Sequence, residues 1–261
     1  TRELVVTVPP TLEVPSVDPL MVSQWTSISI PSGNRPTRFT IANLPSGLVY
    51  NTVTGEISGR PLMASGASPF QVTVKASNAA GFSATVTLPL TVLPLPAAVV
   101  GSYQGTVDHA PLLSPTSQIG GRISVTTSAN GRTSGSVTLG TASWSFAQPL
   151  DAAGSADPSC SATIVRKGQS PLRVNFTIQA STGALVGTVS DGLHTTDCRA
   201  WPAMSAPFGG YTGYYTAGLK LLNAGDVGVA GIPQGHGYAY FNVGATGTAT
   251  GVIRLGDGTQ V

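Results

Sequence analysis

The chain has 261 residues and a formal net charge of +2, with 32 glycines and 20 prolines; 41 % of its residues are hydrophobic and 9 % are charged. That hydrophobicity excludes a disordered chain, and charge this sparse leaves too little Glu and Lys to clothe helix surfaces. The 13 Lys and Arg are scattered rather than gathered on one face, so the chain is read as binding no nucleic acid, and no run of about 18 apolar residues exists to span a membrane as a helix. The composition is that of an all-β protein, with short strands joined by tight turns and length enough for two domains.

In chain order, Thr1 to Val8 reads as a strand ending at Pro9-Pro10, and residues 1–9 are expected to close a preceding domain or to form an N-terminal strand. Trp25, Ile28 and Ile30 mark one strand, Phe39 to Ile41 another, and Ile57 a third. The run Leu44-Pro-Ser-Gly-Leu48 through Thr54-Gly-Glu-Ile-Ser-Gly-Arg-Pro61 packs two turns and two short strands together. Gly47, Gly55 and Gly59 stand where a reversing chain calls for positive φ, and Pro45 and Pro61 fix φ beside them. Phe70 to Ala76 alternates apolar and polar residues, which predicts a strand buried on one face. Asn78 to Gly81 is a turn, and Ala84 to Val92 the returning strand.

Residues 10–94 resemble the immunoglobulin-like, cadherin-like domain found in tandem in bacterial surface proteins. The resemblance rests on Leu44–Leu48, Thr54–Pro61 and Val72-Thr-Val-Lys-Ala-Ser-Asn-Ala-Ala-Gly81. It implies an immunoglobulin-like β-sandwich of about seven strands. Some cadherin-like modules hold calcium, but Glu13, Asp18 and Glu56 are isolated here, so no metal or other cofactor is expected.

Leu93-Pro-Leu-Pro-Ala-Ala begins a stiff linker over residues 95–100. Residues 101–261 carry an internal repeat of the form Gly-x3-Gly-x-[Val/Ile], at Gly131–Val137, Gly183–Val189 and Gly247–Ile253. The first glycine of each suits a hairpin turn and the second a bulge or sharp coil. Such kinks predict a curled antiparallel sheet or β-barrel-like domain of repeated hairpins. Gly101-Ser-Tyr-Gln-Gly105 is echoed by Gly209-Gly-Tyr-Thr-Gly213, as though a second unit of about a hundred residues starts there. This region resembles the glycine-rich β repeats of large exported proteins of Gram-negative bacteria, of the Verrucomicrobia–Planctomycetes kind. The whole is expected to be longer at both ends. One short helical turn is expected near Leu219–Asn223. An outer-membrane barrel is disfavoured, because turns interrupt the strands and the aromatic girdles are missing.

Little in the chain suggests catalysis, and it is read as a non-enzyme with no catalytic residue. His109, His194 and His236 each stand beside turn residues, and Asp108, Asp151, Asp157, Asp191, Asp226 and Asp257 read as turn formers. Asn175-Phe-Thr177 fits a glycosylation pattern by chance, mid-strand. Cys160 and Cys198 suggest a disulfide formed in an oxidising compartment, worth about 3–4 kcal/mol in the loop-entropy model; the alternative is two free buried thiols. Trp25, Trp144 and Phe146 are expected to face the core. The rings that could stack on a flat ligand are Tyr211, Tyr214, Tyr215, Tyr238 and Tyr240, with Trp144 and Trp201; of these Tyr211, Tyr214, Tyr238 and Tyr240 are taken as the candidate ligand-binding residues, with Tyr238 and Tyr240 on one face of one strand, although a core or seam position would serve them too.

The leading expectation is an extracellular structural or adhesive module of a tandem-domain surface protein, contacting neighbouring domains or further copies of itself. A carbohydrate-binding accessory region, with a surface glycan as partner, and a subunit of an extracellular filament or sheath are the alternatives. In the last, the strands at Thr1–Val8 and after Gly247 would complete a neighbour's sheet.

Overall fold

The computed structural model describes residues 7–108, 120–153, 157–203, 209–220, 227–230 and 234–258. Most of the expected first strand (residues 1–6), His109, Asp226 and residues 221–223 of the expected helical turn lie outside the described residues. The chain divides into two compact bodies, Thr1–Leu113 with Ser117–Pro202 and Ser114–Thr116 with Ala203–Val261. All the regular structure is β, apart from two single 3-10 turns among the described residues.

The first part of the larger body is the immunoglobulin-like sandwich. Its strands are β1 (Thr11–Leu12), β2 (Leu20–Met21), β3 (Thr26–Ile28), β4 (Ser32–Gly33), β5 (Arg38–Ala42), β6 (Leu48–Tyr50), β7 (Ile57–Gly59), β8 (Phe70–Asn78), β9 (Gly81–Phe82), β10 (Val86–Leu90) and β11 (Val92–Leu93). One sheet runs β10-β8-β5, with β9 added on β8; the other runs β3-β7-β6. The period-2 alternation of β8 delivers Val72, Val74 and Ala76 to the interior. There they meet Ile28, Phe39, Ile41, Leu48, Ile57, Leu88 and Leu90. Gly55 has φ +74°, and a Cβ there would stand 2.6 Å from the Phe39 ring, so conformation and space both demand glycine.

The proline-rich segment after β11 is no free spacer. Leu95 and Val99 are buried, and Ala97–Val99 forms a 3-10 turn that leads straight into β12 (Gly101–Val107). From here the chain builds an eight-stranded antiparallel sheet. The remaining strands are β13 (Gly121–Thr127), β14 (Arg132–Leu139), β15 (Ala142–Pro149), β16 (Ser159–Ile164), β17 (Leu172–Ile178), β18 (Leu185–Ser190) and β19 (Thr195–Pro202). Their order is β15-β14-β13-β12-β19-β18-β17-β16. The sheet nearly closes on itself: β15 and β16 lie side by side, and Asp151 and Ser159 exchange two backbone hydrogen bonds of 2.7 and 2.9 Å beside them. Inward residues such as Tyr103, Ile123, Val125, Val137, Leu172, Val174 and Val189 are fully buried. Outward residues are mostly Ser, Thr, Gln, Asn and Arg, with Val186, Asp197 and an exposed Trp201 among them, so no apolar belt of the kind that faces lipid surrounds the sheet. Among the described residues no helix is long and apolar enough to cross a membrane.

The eight strands are two four-stranded meanders in one register. Tyr103, Val125, Gly135 and Phe146 form a cross-strand row in the first, and Cys160, Phe176, Gly187 and Cys198 the same row in the second. The second glycine of each sequence repeat therefore sits in an unbroken ladder, not at the bulge that its spacing predicts. A phenylalanine stands directly opposite each one, Phe146 to Gly135 and Phe176 to Gly187. A Cβ on Gly135 would lie 2.5 Å from the Phe146 ring and 2.6 Å from the Ser124 carbonyl oxygen. Glycine is required there because strongly coiled neighbouring strands bring ring and backbone over it. The first glycine does turn the hairpin, with φ +77° at Gly131 and +71° at Gly183.

The expected disulfide does not form. Cys160 and Cys198 are free and buried, on strands separated by β17 and β18. Three strand spacings amount to about 14 Å along the sheet, far beyond the reach of a disulfide. The two residues stand at opposite ends of one row of the second meander and serve as small apolar fillers. Burial pushes the thiols up, to about 11 for Cys160 and about 12 for Cys198, where the nearby Asp197 and Asp108 carboxylates add to it.

The smaller body contains a 3-10 turn (Gly209–Tyr211) and a three-stranded antiparallel sheet, β20 (Gly213–Leu219), β21 (Gly237–Val243) and β22 (Ala249–Arg254), in that order. It reproduces β12-β13-β14 pair by pair. Gly101, Tyr103 and Val107 oppose Thr127, Val125 and Gly121, as Gly213, Tyr215 and Leu219 oppose Val243, Phe241 and Gly237. Gly135 opposes Val125, as Gly251 opposes Phe241. Even the preceding turn is copied: the Tyr103 hydroxyl donates to the Ala98 carbonyl at 2.6 Å, and the Tyr215 hydroxyl to the Tyr211 carbonyl at 2.8 Å. The counterpart of Gly101-Ser-Tyr103 is thus Gly213-Tyr-Tyr215, four residues beyond the frame read from the sequence.

Candidate functional site

Strand alternation sorts the side chains of β20-β21-β22 into two faces. One carries Tyr215, Leu219, Ala239, Phe241 and Ile253, the counterparts of the interior residues Tyr103, Val107, Ile123, Val125 and Val137. Tyr215 stacks on Phe241 here, with ring centroids 5.4 Å apart. The other face corresponds to the polar exterior of the eight-stranded sheet and carries Tyr214, Tyr238 and Tyr240. Their rings form a continuous run: Tyr214 to Tyr240 spans 6.1 Å between centroids at 27°, and Tyr240 to Tyr238 spans 6.4 Å at 17°. All three are solvent-accessible, Tyr238 at 50 % and Tyr214 at 67 %.

Three of the four sequence candidates therefore converge. Tyr211 does not join them. It lies in the 3-10 turn, bound through its carbonyl to Tyr215, the tyrosine of the opposite face.

Register supplies the surroundings of the tyrosine run. Across the sheet, Tyr214 opposes Asn242, which opposes Thr250; Thr216 opposes Tyr240, which opposes Val252; Gly218 opposes Tyr238, which opposes Arg254. A Cβ on Gly218 would meet nothing within 4 Å, so the sheet beside Tyr238 is an open shelf. In the eight-stranded sheet the positions of Tyr214, Tyr238 and Tyr240 hold Ser102, Arg122 and Ser124. The same backbone folds without rings there, so the register alone does not require these tyrosines. Flat rings beside hydroxyl, amide and guanidinium groups suit recognition by stacking and hydrogen bonding.

A second constellation lies within the larger body, where the sandwich meets the eight-stranded sheet. Arg60, from the Ser-Gly-Arg-Pro run, reaches Asp151 through both terminal nitrogens, Nη1 to Oδ1 at 3.1 Å and Nη2 to Oδ2 at 3.2 Å. Nη1 also donates to the Ser23 carbonyl at 2.5 Å and the Leu150 carbonyl at 3.3 Å. The Ser23 hydroxyl donates to the Leu150 carbonyl at 2.6 Å, and the Ser23 side chain occupies the space a Cβ on Gly131 would need. The hydrogen bond from Arg60 holds the Asp151 carboxyl below its ordinary range, against the opposing effect of burial. Trp25, expected in the core, instead stands 57 % exposed, with the Arg60 guanidinium 5.8 Å from its ring centroid. Trp144 is half-buried under Arg166, and Phe146 is in the core as expected.

Asp151 turns the chain, bonding the Ala153 amide, but it is also the anionic half of this clamp. Sequence reading missed that half, because nothing local links it to Arg60; the arginine could have been flagged by its place in the Ser-Gly-Arg-Pro run. Asp191 is the turn former expected, accepting from the Leu193 and His194 amides. Among the described residues no three His, Cys, Asp or Glu side chains gather as a metal site would require.

Residues 6–93 match the family described as "Putative Ig domain". Among solved structures, the crystal structure of the SrpA adhesin from Streptococcus sanguinis aligns with 17 % identity and a TM-score of 0.28, covering 56 % of this chain and 94 % of that one. No curated protein matches the chain.

Proposed function

We propose that the chain, with its immunoglobulin-like domain at residues 6–93, is a non-enzymatic adhesive and structural module of an extracellular bacterial surface protein, and that the tyrosine run is its contact face. One observation carries this reading. A single three-strand register occurs twice, once with Ser102, Arg122 and Ser124 on its outer face and once with Tyr214, Tyr238 and Tyr240 there. A scaffold whose backbone is kept while its wet face turns aromatic is what a binding module needs, since tyrosine gives rigid contact area at low entropic cost. The test is retention under flow of protein-coated beads on polysaccharide-coated and protein-coated surfaces. The triple substitution Tyr214→Ser, Tyr238→Arg, Tyr240→Ser is expected to abolish retention with the melting profile unchanged. Retention that survives it overturns the reading.

A second reading, a subunit that completes a neighbour's sheet, has its own support. The edge of β12 is covered by β19, whereas among the described residues no strand pairs the matching edge of β20. Ile253 is 41 % exposed where its counterpart Val137 is fully buried. A monomer at millimolar concentration in analytical ultracentrifugation would remove this reading.

A further inference from the structure

We propose that Tyr214, Tyr238, Tyr240 and Arg254 form a binding face for an acidic glycan, a chain of uronate-type sugars; this deepens the adhesive reading and rests on it. The face carries Tyr214, Thr216, Gly218, Tyr238, Tyr240, Asn242, Thr250, Val252 and Arg254, without a carboxylate among them. Lys220 follows at the end of β20, two residues past Gly218. No ion pair joins the Arg254 guanidinium to an acidic side chain among the described residues. An exposed guanidinium beside stacked rings is positive, planar and uncompensated, and it presents a fork of donors matched to a carboxylate.

Shape points to the same ligand. The three rings lie within 27° of one another along their contacts and step along the sheet at 6.1 and 6.4 Å. An extended run of rings suits an extended ligand that repeats a flat unit. The C–H faces of a pyranose are slightly positive and stack on the negative face of a phenol ring. Thr216 and Asn242 flank the run with groups that donate and accept hydrogen bonds, as sugar hydroxyls require. Gly218 leaves the β20 side of Tyr238 open to a sugar, and Arg254 stands directly across the other strand pair, where it can meet the carboxylate of a sugar stacked on that ring. A neutral glycan would satisfy the rings and leave the guanidinium without a partner.

The experiment is calorimetric titration of the whole chain with two probes of equal length, a hexa-uronate and a neutral hexasaccharide. The acidic probe is expected to bind more tightly, with affinity falling as salt is raised. Arg254→Gln is expected to weaken it about tenfold and to erase the preference over the neutral probe. Tyr240→Ser, the residue that the equivalent position of the eight-stranded sheet already holds, is expected to remove binding of both probes while the protein stays folded. Equal affinity for the two probes, or an Arg254→Gln variant that still prefers the acidic one, overturns the acidic-glycan inference and leaves the adhesive reading standing. So does bead adhesion that depends on the tyrosines while neither probe binds. Adhesion and glycan binding that both survive the triple tyrosine substitution overturn the two together.

Discussion

The strands β12-β13-β14 and β20-β21-β22 share a register, a preceding 3-10 turn, a tyrosine hydrogen bond and a glycine ladder, yet they live in different environments. Tyr103 is 1 % exposed and Tyr215 is 38 % exposed, although the two make the same hydrogen bond. Backbone pairing is therefore set by the glycine and alternation pattern, while burial is set by what packs across the sheet. The first copy has a second meander, β16 to β19, beyond it. The second copy has its own aromatic stacks. What differs most is the solvent side, hydroxylic in one and phenolic in the other.

This comparison can be broken in graded steps. The largest effect is expected from truncating the matched tyrosines. Tyr103→Ala should cost about 3–5 kcal/mol in denaturant unfolding of the larger body, whereas Tyr215→Ala should cost less than about 2 kcal/mol because much of its surface is already wet. Equal losses would show that the two sheets are packed alike. Next come the matched positions Gly105 and Ala217. A Cβ on Gly105 would collide with the Arg199 carbonyl and Ala200 of β19, so Gly105→Ala should destabilise by about 1–3 kcal/mol. Ala217→Gly should cost no more than about 1 kcal/mol. A harmless Gly105→Ala would mean that β12 and β19 are further apart than described.

The clamp gives a smaller effect, and one confined to the larger body. Arg60→Ala should lower the stability of the larger body by about 1–2 kcal/mol, mostly through the carbonyls left without a donor; the partly exposed ion pair itself adds little. Asp151 has a folded pKa below its unfolded value, so its contribution is full above the ordinary carboxylate range and is lost as pH falls through the lowered folded value. Asp151→Asn should therefore flatten the acid limb of a stability–pH curve, with near-UV signals from the Tyr214–Tyr240–Tyr238 run unaltered. The smallest expected effect is none. Reducing agent should leave melting unchanged, and alkylation at pH 8 should proceed only as the larger body opens, because both thiols are buried and titrate well above that pH.

Much of the architecture was legible from local chemistry. The turns at Asn78–Gly81 and Gly131, the alternation of β8 and β17, and the curling forced by paired glycines are all short-range signals. The rest depended on partners far away in sequence. Gly209-Gly-Tyr211 and Gly213-Tyr-Tyr215 are both Gly-x-Tyr frames, and only cross-strand pairing with β21 selects the second. Tyr211 is a candidate on ring chemistry alone, and composition cannot show which face of the turn or sheet a ring occupies. The cysteine pair suggested a bond because an even count says nothing of the two strands between them. Trp25 alternates with polar residues as a core ring would, yet it stands exposed, with the guanidinium of Arg60, 35 residues later, as its ring partner.

The pairing of β12 with β19 has a mechanical consequence. Tyr103 opposes Pro202, so the chain enters and leaves the eight-stranded sheet at one rim, on adjacent strands. Tension applied at those two points would load their hydrogen bonds one after another, as a zip opens, rather than all at once in shear.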